Sequence, residues 1–174
     1  MEGVASSPGA RKASSVMSVV LRPATAADEP FLREMLRLAS NWRDEEAARQ
    51  PPAPGLSHYV SGFGREGDVG VIATADGELA GAAWARRFRV DQAGYGFVAE
   101  DVPELAIAVR PQYRGRGIGG SLIVALKRAL ADAGYSRVSL SVEPDNASRR
   151  IYERAGFVRV AEDGGAWTMV SELA

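Results

Sequence analysis

The stretch that most constrains this chain is Glu104–Ala133. There an alternating run, Glu104-Leu-Ala-Ile-Ala-Val-Arg110, passes through Pro111-Gln-Tyr-Arg-Gly-Arg-Gly-Ile-Gly-Gly120 straight into a helical pattern. Leu105, Ile107 and Val109 fall on one face of the predicted strand, and Glu104, Ala106, Ala108 and Arg110 on the other. Ile118, Leu122, Leu126 and Leu130, supported by Ala125, Ala129 and Ala133, form the apolar stripe of a helix over 117–133 that Gly134 stops. Glycines at 115, 117, 119 and 120 let the backbone turn through positive φ and come close to an anion. The unpaired amides and positive dipole end of the helix then face that anion, and Arg114 and Arg116 add charge and donors. A loop that merely needed flexibility would not require the arginines and the strong helix beside it. This is a phosphate-binding constellation.

Two other phosphate ligands compete for it. Gly115, Gly117 and Gly120 match G-x-G-x-x-G, with Glu143 near the place of a ribose-binding acid. A dinucleotide turn, however, leaves its strand almost at the first glycine, whereas here Pro111 and further residues separate Val109 from Gly115. One more βα unit follows, too few for a dinucleotide sheet. A triphosphate loop fails because no Gly-Lys-Ser/Thr follows the glycines.

The remaining pattern places this turn in an α/β chain. Ser18–Arg22 reads as a strand ended by Pro23. Thr25 and Asp28 form a capping box for a helix to about Ser40, carrying Phe31, Leu32, Met35, Leu36 and Ala39. Residues 41–55 are polar with a Pro-rich end, and Leu56–Phe63 suits a short second helix. Val69, Val71 and Ala73 alternate, Asp76-Gly77 marks a hairpin, and Glu78–Val90 reads as a long returning strand. A loop over 91–103 carries Tyr95 and Phe97. Beyond the long helix come a strand at Val138–Val142, a helix at Ala147–Ala155 and Gly156 as its C-terminal cap. Strands at Phe157–Ala161 and Ala166–Val170 flank the Asp163-Gly164-Gly165 turn. The order β-α-α-β-β-β-α-β-α-β-β calls for a mainly antiparallel sheet.

Composition narrows the chemistry. The chain has 174 residues, 46% of them apolar, which suits one domain with its own core. With 21 basic and 22 acidic residues the net charge is −1, so no basic face for nucleic acid is expected. The absence of cysteine excludes thiolate metal sites and a cysteine nucleophile, and one histidine cannot make a multi-histidine centre. No metal is expected. No run of about 18 apolar residues offers a membrane span. Residues 1–16 read as a disordered extension without a signal-peptide core, and 17–174 as the domain, with a cytoplasmic location by default.

Arg114-Gly-Arg-Gly117-Ile-Gly119 resembles the R/Q-x-x-G-x-G/A pyrophosphate motif of the GNAT superfamily of N-acetyltransferases. Asn146-Ala-Ser-Arg-Arg-Ile-Tyr152-Glu-Arg-Ala-Gly156-Phe157 resembles that family's N-x(5–6)-Y-x-x-x-G-F signature, in its shorter spacing. The two motifs cover 104–158, and the N-terminal third agrees only in its order of elements. The resemblance implies a mixed, mainly antiparallel sheet of six or seven strands with about four helices, splayed in a V between the fourth and fifth strands. It implies acetyl-coenzyme A as cosubstrate and direct attack of an amine on the thioester. It also allows a homodimer.

What the resemblance implies at each position can be set beside plain chemistry. Pantetheine would run along Ile107-Ala108-Val109, where a backbone amide meets the thioester oxygen. The small Ala106 and Ala108 suit either a close approach of that kind or packing against a helix. Amides and side chains of Arg114, Gly115, Arg116, Gly117, Ile118, Gly119 and Gly120 would hold the pyrophosphate. Asn146 would touch the cofactor and cap its helix. Tyr152 would assist the departing thiolate; a phenol with pKa about 10 beside a thiol near 8.5 is better suited to donate a hydrogen bond than a whole proton.

An amine with pKa near 10 must lose a proton before it attacks. Glu104, on the Ala106/Ala108 face, is the expected base, directly or through water, with Glu100 and Asp101 as weaker alternatives. Trp42, His58, Tyr59, Trp84, Tyr95 and Phe97 are candidates for the acceptor pocket, Trp84 being better suited to the core. Glu45, Glu46, Glu100, Asp101 and Glu104 could attract a cationic amine. Arg86, Arg87 and Arg89 could hold a carboxylate or form a solvated strand face. Relatives that acetylate protein N-termini often carry a glutamate where Ser141 stands, which favours a small-molecule amine. A protein lysine or N-terminus, and a non-catalytic acyl-coenzyme A sensor, are the competing readings.

Overall fold

A computed structural model describes residues 16–44, 46–52 and 54–173. Residues 1–15, most of the expected extension, and Glu45 lie outside the described residues. Seven strands, β1 (Val19–Pro23), β2 (Val69–Ala75), β3 (Glu78–Arg86), β4 (Glu104–Val109), β5 (Arg137–Val142), β6 (Val158–Asp163) and β7 (Ala166–Glu172), form one sheet in the order β1-β2-β3-β4-β5-β7-β6. Every neighbouring pair is antiparallel except β4 and β5, which are parallel. The α-helices are α1 (Glu29–Ser40), α2 (Ile118–Asp132) and α3 (Arg149–Arg154).

The apolar spacing sorts side chains into two layers. Leu122, Ile123, Leu126 and Leu130 of α2 bury one face of the sheet, packing with Ala73, Ala83, Leu105, Val138 and Leu140. On the other face, Phe31, Leu32, Met35 and Leu36 of α1 join Tyr59, Val60 and Phe63 against Ile72, Ala82 and Trp84. The strand β4 divides its residues as its alternation requires: Leu105, Ile107 and Val109 face the α2 layer, Ala106 and Ala108 the α1 layer. The two alanines therefore pack toward a helix, the second of the two readings given above.

Three elements differ from the sequence expectation. Pro54–Tyr59 is a 3-10 helix where a short α-helix over Leu56–Phe63 was expected, so the α-helices number three among the described residues. The carbonyls of His58 and Tyr59 at its end are taken by Arg86 and Trp84 of β3, which fixes the segment as this short turn. The long returning strand ends at Arg86, four residues short of Val90, because β4 begins opposite Arg86 at Glu104 and has no partner to offer beyond it. Helix α3 starts at Arg149 and not Ala147, while Asn146 and Ser148 form the turn that leads into it. The hairpin and caps agree with expectation. Asp76 and Gly77 have φ of 50° and 83°, and Asp28 Oδ2 accepts the Thr25 amide at 2.8 Å.

The parallel pair is the feature that positions a site. β4 and β5 are in register only at Glu104 opposite Ser139, where the Ser139 amide also donates to the Pro103 carbonyl at 2.9 Å. From that contact the strands diverge toward Val109 and Val142. The sheet thus opens into a V, with α2 beginning beyond the end of β4.

Candidate active site

Along one arm of the V, β4 stays paired with β3 through Val109 opposite Gly81, leaving its other edge turned toward the opening. A strand edge of this kind carries unpaired amides and carbonyls that can bond an extended ligand. Past Val109 the chain makes a short 3-10 turn at Pro111–Tyr113 and reaches Gly115 and Gly117, with φ of 74° and 81°. These left-handed positions reverse the chain so that α2 starts at Ile118 with its first amides pointing out of the turn. Gly117 occupies the N-cap without a side-chain cap, and an added Cβ at Gly115, Gly117 or Gly120 would meet nothing within 4 Å. Gly119 lies in ordinary contact distance of Ile151, at 3.5 Å. Arg114 Nε donates to the Val109 carbonyl at 3.0 Å, so this arginine braces the turn. Arg116 lies exposed, its Nη1 at 3.0 Å from Met17 Sδ. Open backbone donors beside a splayed strand fit a pyrophosphate continued by an extended pantetheine.

Asn146 Oδ1 accepts the Ser148 amide at 2.9 Å and its carbonyl accepts the Arg149 amide at 3.1 Å, which shapes the entry to α3. Tyr152 is 8% exposed and sits in the α2 layer, edge-on to Phe157 with ring centroids 6.0 Å apart. Burial pushes its phenol well above the ordinary tyrosine range, against a smaller opposing pull from the Ser148 hydroxyl. It stays a protonated donor at any physiological pH.

Glu104 belongs to the opposite layer and is 3% exposed at the foot of the V. Its Oε1 accepts from Tyr59 Oη at 2.5 Å and from the Gly96 amide at 2.9 Å. Its Oε2 is buried without a hydrogen-bond partner. Burial pushes the carboxyl up to about 7, while the donations from Tyr59 and Gly96 hold it down. Glu104 therefore exchanges its proton near neutrality. Gly96 also lies against β5, where an added Cβ would stand 2.5 Å from the Leu140 carbonyl carbon and 2.7 Å from the Ser141 nitrogen. Only glycine lets this loop cross from β4 to β5 at the foot of the V.

The other expected residues separate. Trp84 is core, 1% exposed, with Nε1 donating to the Tyr59 carbonyl at 2.8 Å. Arg86 is neither a solvated residue nor an open carboxylate site: buried to 1%, it pairs with Asp68 at 3.1 Å. Arg87 and Arg89 are exposed, Arg89 beside Asp91 at 3.2 Å. His58 is half-buried against Tyr59 and Phe88, and burial lowers its pKa. Phe97 packs on the α1 layer and Tyr95 is largely exposed. Glu100 accepts the Val90 amide at 3.0 Å, Asp101 is exposed, and Glu46 pairs with Arg49. Trp42 lies under the Arg43 guanidinium at 4.2 Å, and Arg43 reaches Asp145 at 2.6 Å and Glu143 at 2.5 Å. That arginine, which the sequence did not single out, ties the end of α1 to the loop carrying Asn146.

The Tyr59–Glu104 bond was also missed. Its partners are 45 residues apart, and Tyr59 was expected only as a pocket wall. The strict alternation Trp84, Arg86 on β3 opposite Ala106, Glu104 on β4 is the signal that puts these groups on one face. Among the described residues there is no cluster of His, Asp or Glu able to hold a metal, and no helix long and apolar enough to cross a membrane.

A V-shaped opening between parallel strands, with a glycine-rich helix start at its mouth, is the arrangement that the resemblance to the GNAT acetyltransferases implied. The GNAT acetyltransferase family profile matches residues 30–157, and the chain belongs to that family. It is similar to a mycothiol acetyltransferase of Saccharopolyspora erythraea, 30% identical over 136 residues, which cover 78% of this chain and 42% of that protein. A mycothiol acetyltransferase of Corynebacterium aurimucosum is 33% identical over 90 residues, 51% of this chain and 27% of its own. The chain thus spans less than half the length of these two relatives. In fold it resembles a phosphinothricin acetyltransferase from Sinorhizobium meliloti solved with acetyl-coenzyme A, with a TM-score of 0.64 and 23% identity over 90% of this chain and 89% of that one.

Proposed function

We propose that this chain acetylates the amine of a small-molecule acceptor by direct attack on the thioester of acetyl-coenzyme A. The observation that carries the reading is the opposition of Glu104 and Tyr152. They belong to the two layers on either side of the sheet, and the opening between β4 and β5 lies between those layers. A reacting carbon held in that opening has a proton acceptor toward one face and a phenol donor toward the other. Acetyl-coenzyme A supplies the acetyl group, already activated as a thioester.

The chain's own residues do the rest. The amides from Gly115 to Gly120, with Arg114 and Arg116, hold the pyrophosphate, and Asn146 contacts the cofactor from the α3 side. The β4 edge at Ile107-Ala108-Val109 bonds the pantetheine, and one of its amides faces the oxygen on which charge develops. Glu104 takes the proton of the attacking amine, directly or through water, and a carboxyl exchanging near pH 7 suits that task. Tyr152 donates a hydrogen bond to the sulfur as the bond to carbon breaks.

Support for a small acceptor comes from the names of the sequence relatives, mycothiol acetyltransferases, and from Ser141, where relatives acting on protein N-termini often carry a glutamate. The test is a comparison of kcat/KM across a panel of small amines, lysine peptides and N-terminal peptides. The proposal expects the highest values among the small amines. Values at least tenfold higher for any peptide class would replace it with protein acetylation.

A further inference from the structure

We propose that Arg86 is a positioning residue of this site, which fixes Tyr59 against the carboxylate of Glu104 by clamping the backbone on both sides of that tyrosine. The inference rests on the reading of Glu104 as the proton acceptor and adds the groups that aim it.

Arg86 is 1% exposed and lies at the end of β3, opposite Glu104 on β4. Its Nη1 donates to the carbonyls of His58 at 3.0 Å and Ser61 at 2.8 Å, while Nε donates to Asp68 at 3.1 Å. Two positions earlier on the same strand, Trp84 Nε1 donates to the Tyr59 carbonyl at 2.8 Å. Side chains of β3 thus occupy three carbonyls at the end of the 3-10 helix. The Tyr59 hydroxyl then has little freedom: it accepts the Tyr95 amide at 2.9 Å and donates to Glu104 Oε1. The chain of contacts runs from β3, through the 3-10 helix, to the first residue of β4. Among 3-10 segments, whose internal hydrogen bonds are poor, such outside anchoring decides the geometry.

Arg86 works through this anchoring more than through its field, because Asp68 meets its charge. The other titratable or charged groups around Glu104 are few. Tyr59 comes from the 3-10 helix together with His58, whose ring lies tilted against it at 4.8 Å, and Tyr95 from the loop has an exposed ring. Ser139, across on β5, carries no charge. The hydroxyl of Tyr59 favours the ionised carboxylate, so any change that withdraws it raises the pH at which Glu104 loses its proton.

The experiment is a carbon-13 NMR titration of side-chain-labelled glutamate in the full chain, assigned with Glu104→Gln, alongside the pH dependence of kcat/KM. Tyr59→Phe is expected to raise the Glu104 midpoint by about one pH unit. Arg86→Lys is expected to raise it by a smaller amount, and the double variant to match Tyr59→Phe alone, since Arg86 acts through that hydroxyl. The limb of the pH–rate profile moves with the carboxyl. A midpoint that does not move in Tyr59→Phe, or shifts that add in the double variant, would overturn the proposal. Should Arg86→Lys fail to fold, Tyr59→Phe, which removes a single oxygen, and the paired substitution of Arg86→Gln with Asp68→Asn, which removes both charges together while loosening the clamp, carry the same comparison. If Glu104→Gln leaves the pH–rate profile untouched while the midpoints shift as expected, the coupling stands and the assignment of Glu104 as proton acceptor falls.

Discussion

A carboxyl that keeps its proton up to about pH 7 makes Glu104 both a usable base and a liability. Its folded pKa lies above the unfolded value near 4.3, so the folded chain holds the extra proton between the two. Stability from the neutral form is therefore full below about pH 4 and is lost as pH rises through about 7. Glu104→Gln should consequently stabilise the chain at pH 8 by on the order of 2–3 kcal/mol, read as a higher Tm, and the gain should shrink toward pH 4.5 in thermal melts. The same substitution should lower kcat/KM at pH 7 by about a hundredfold and abolish the limb near neutrality, leaving activity to rise with the free amine toward its own pKa near 10. A neutral-pH stabilisation without loss of rate would make Glu104 a buried structural acid. Tyr152→Phe separates the other half of the chemistry. Its hydroxyl is buried and fully protonated, so kcat should fall by about a hundredfold with little change in the affinity for coenzyme A. Equal kcat would remove Tyr152 from the reaction.

At the scale of elements, the glycine-rich turn was legible because its requirements are local: a strand, reversing glycines and an amphipathic helix in one continuous run. The glycines themselves divide in a way that sequence could not reveal. Gly117 has φ of 81°, where a Cβ costs about 1–2 kcal/mol, whereas Gly120 lies within α2 with nothing around it. Gly117→Ala should lower Tm by several degrees as well as raise KM for acetyl-coenzyme A. Gly120→Ala should leave Tm unchanged or higher, since alanine favours helix by up to about 1 kcal/mol, and yet raise KM for acetyl-coenzyme A. An unaltered KM in Gly120→Ala would mean that the cofactor does not pass there. The segments that were misread share a different property. The 3-10 helix at Pro54–Tyr59 and the early end of β3 are set by distant partners, Arg86 and Trp84 for the first and the start of β4 for the second. Arg43, bound to Glu143 and Asp145, is of the same kind. Such contacts leave no period in the sequence for a local reading to find.

For the molecule as a whole, the decisive feature is a sheet in two parts. β1 to β4 form an antiparallel unit, β5 to β7 another, and the two meet through the single opposition of Glu104 and Ser139. The resemblance carried by the two motifs implied the V, and the strand register accounts for it. A cofactor seated in the opening, as proposed above, would bond the β4 edge and tie the parts together. Coenzyme A at a hundredfold excess over its Kd should stabilise the chain by about 2.7 kcal/mol, and hydrogen exchange should slow at Ala106–Val109 and Ile118–Gly120. Protection confined to other segments would place the cofactor elsewhere. The central claim is transfer to an amine, and thiol release followed together with the intact mass of the chain tests it most directly. The account predicts release that requires both acetyl-coenzyme A and an amine, equals the acetylated amine formed, and leaves the chain's mass unchanged. Saturable cofactor binding with no amine-dependent release across a broad panel, or an acetylated chain before any amine is added, would contradict it.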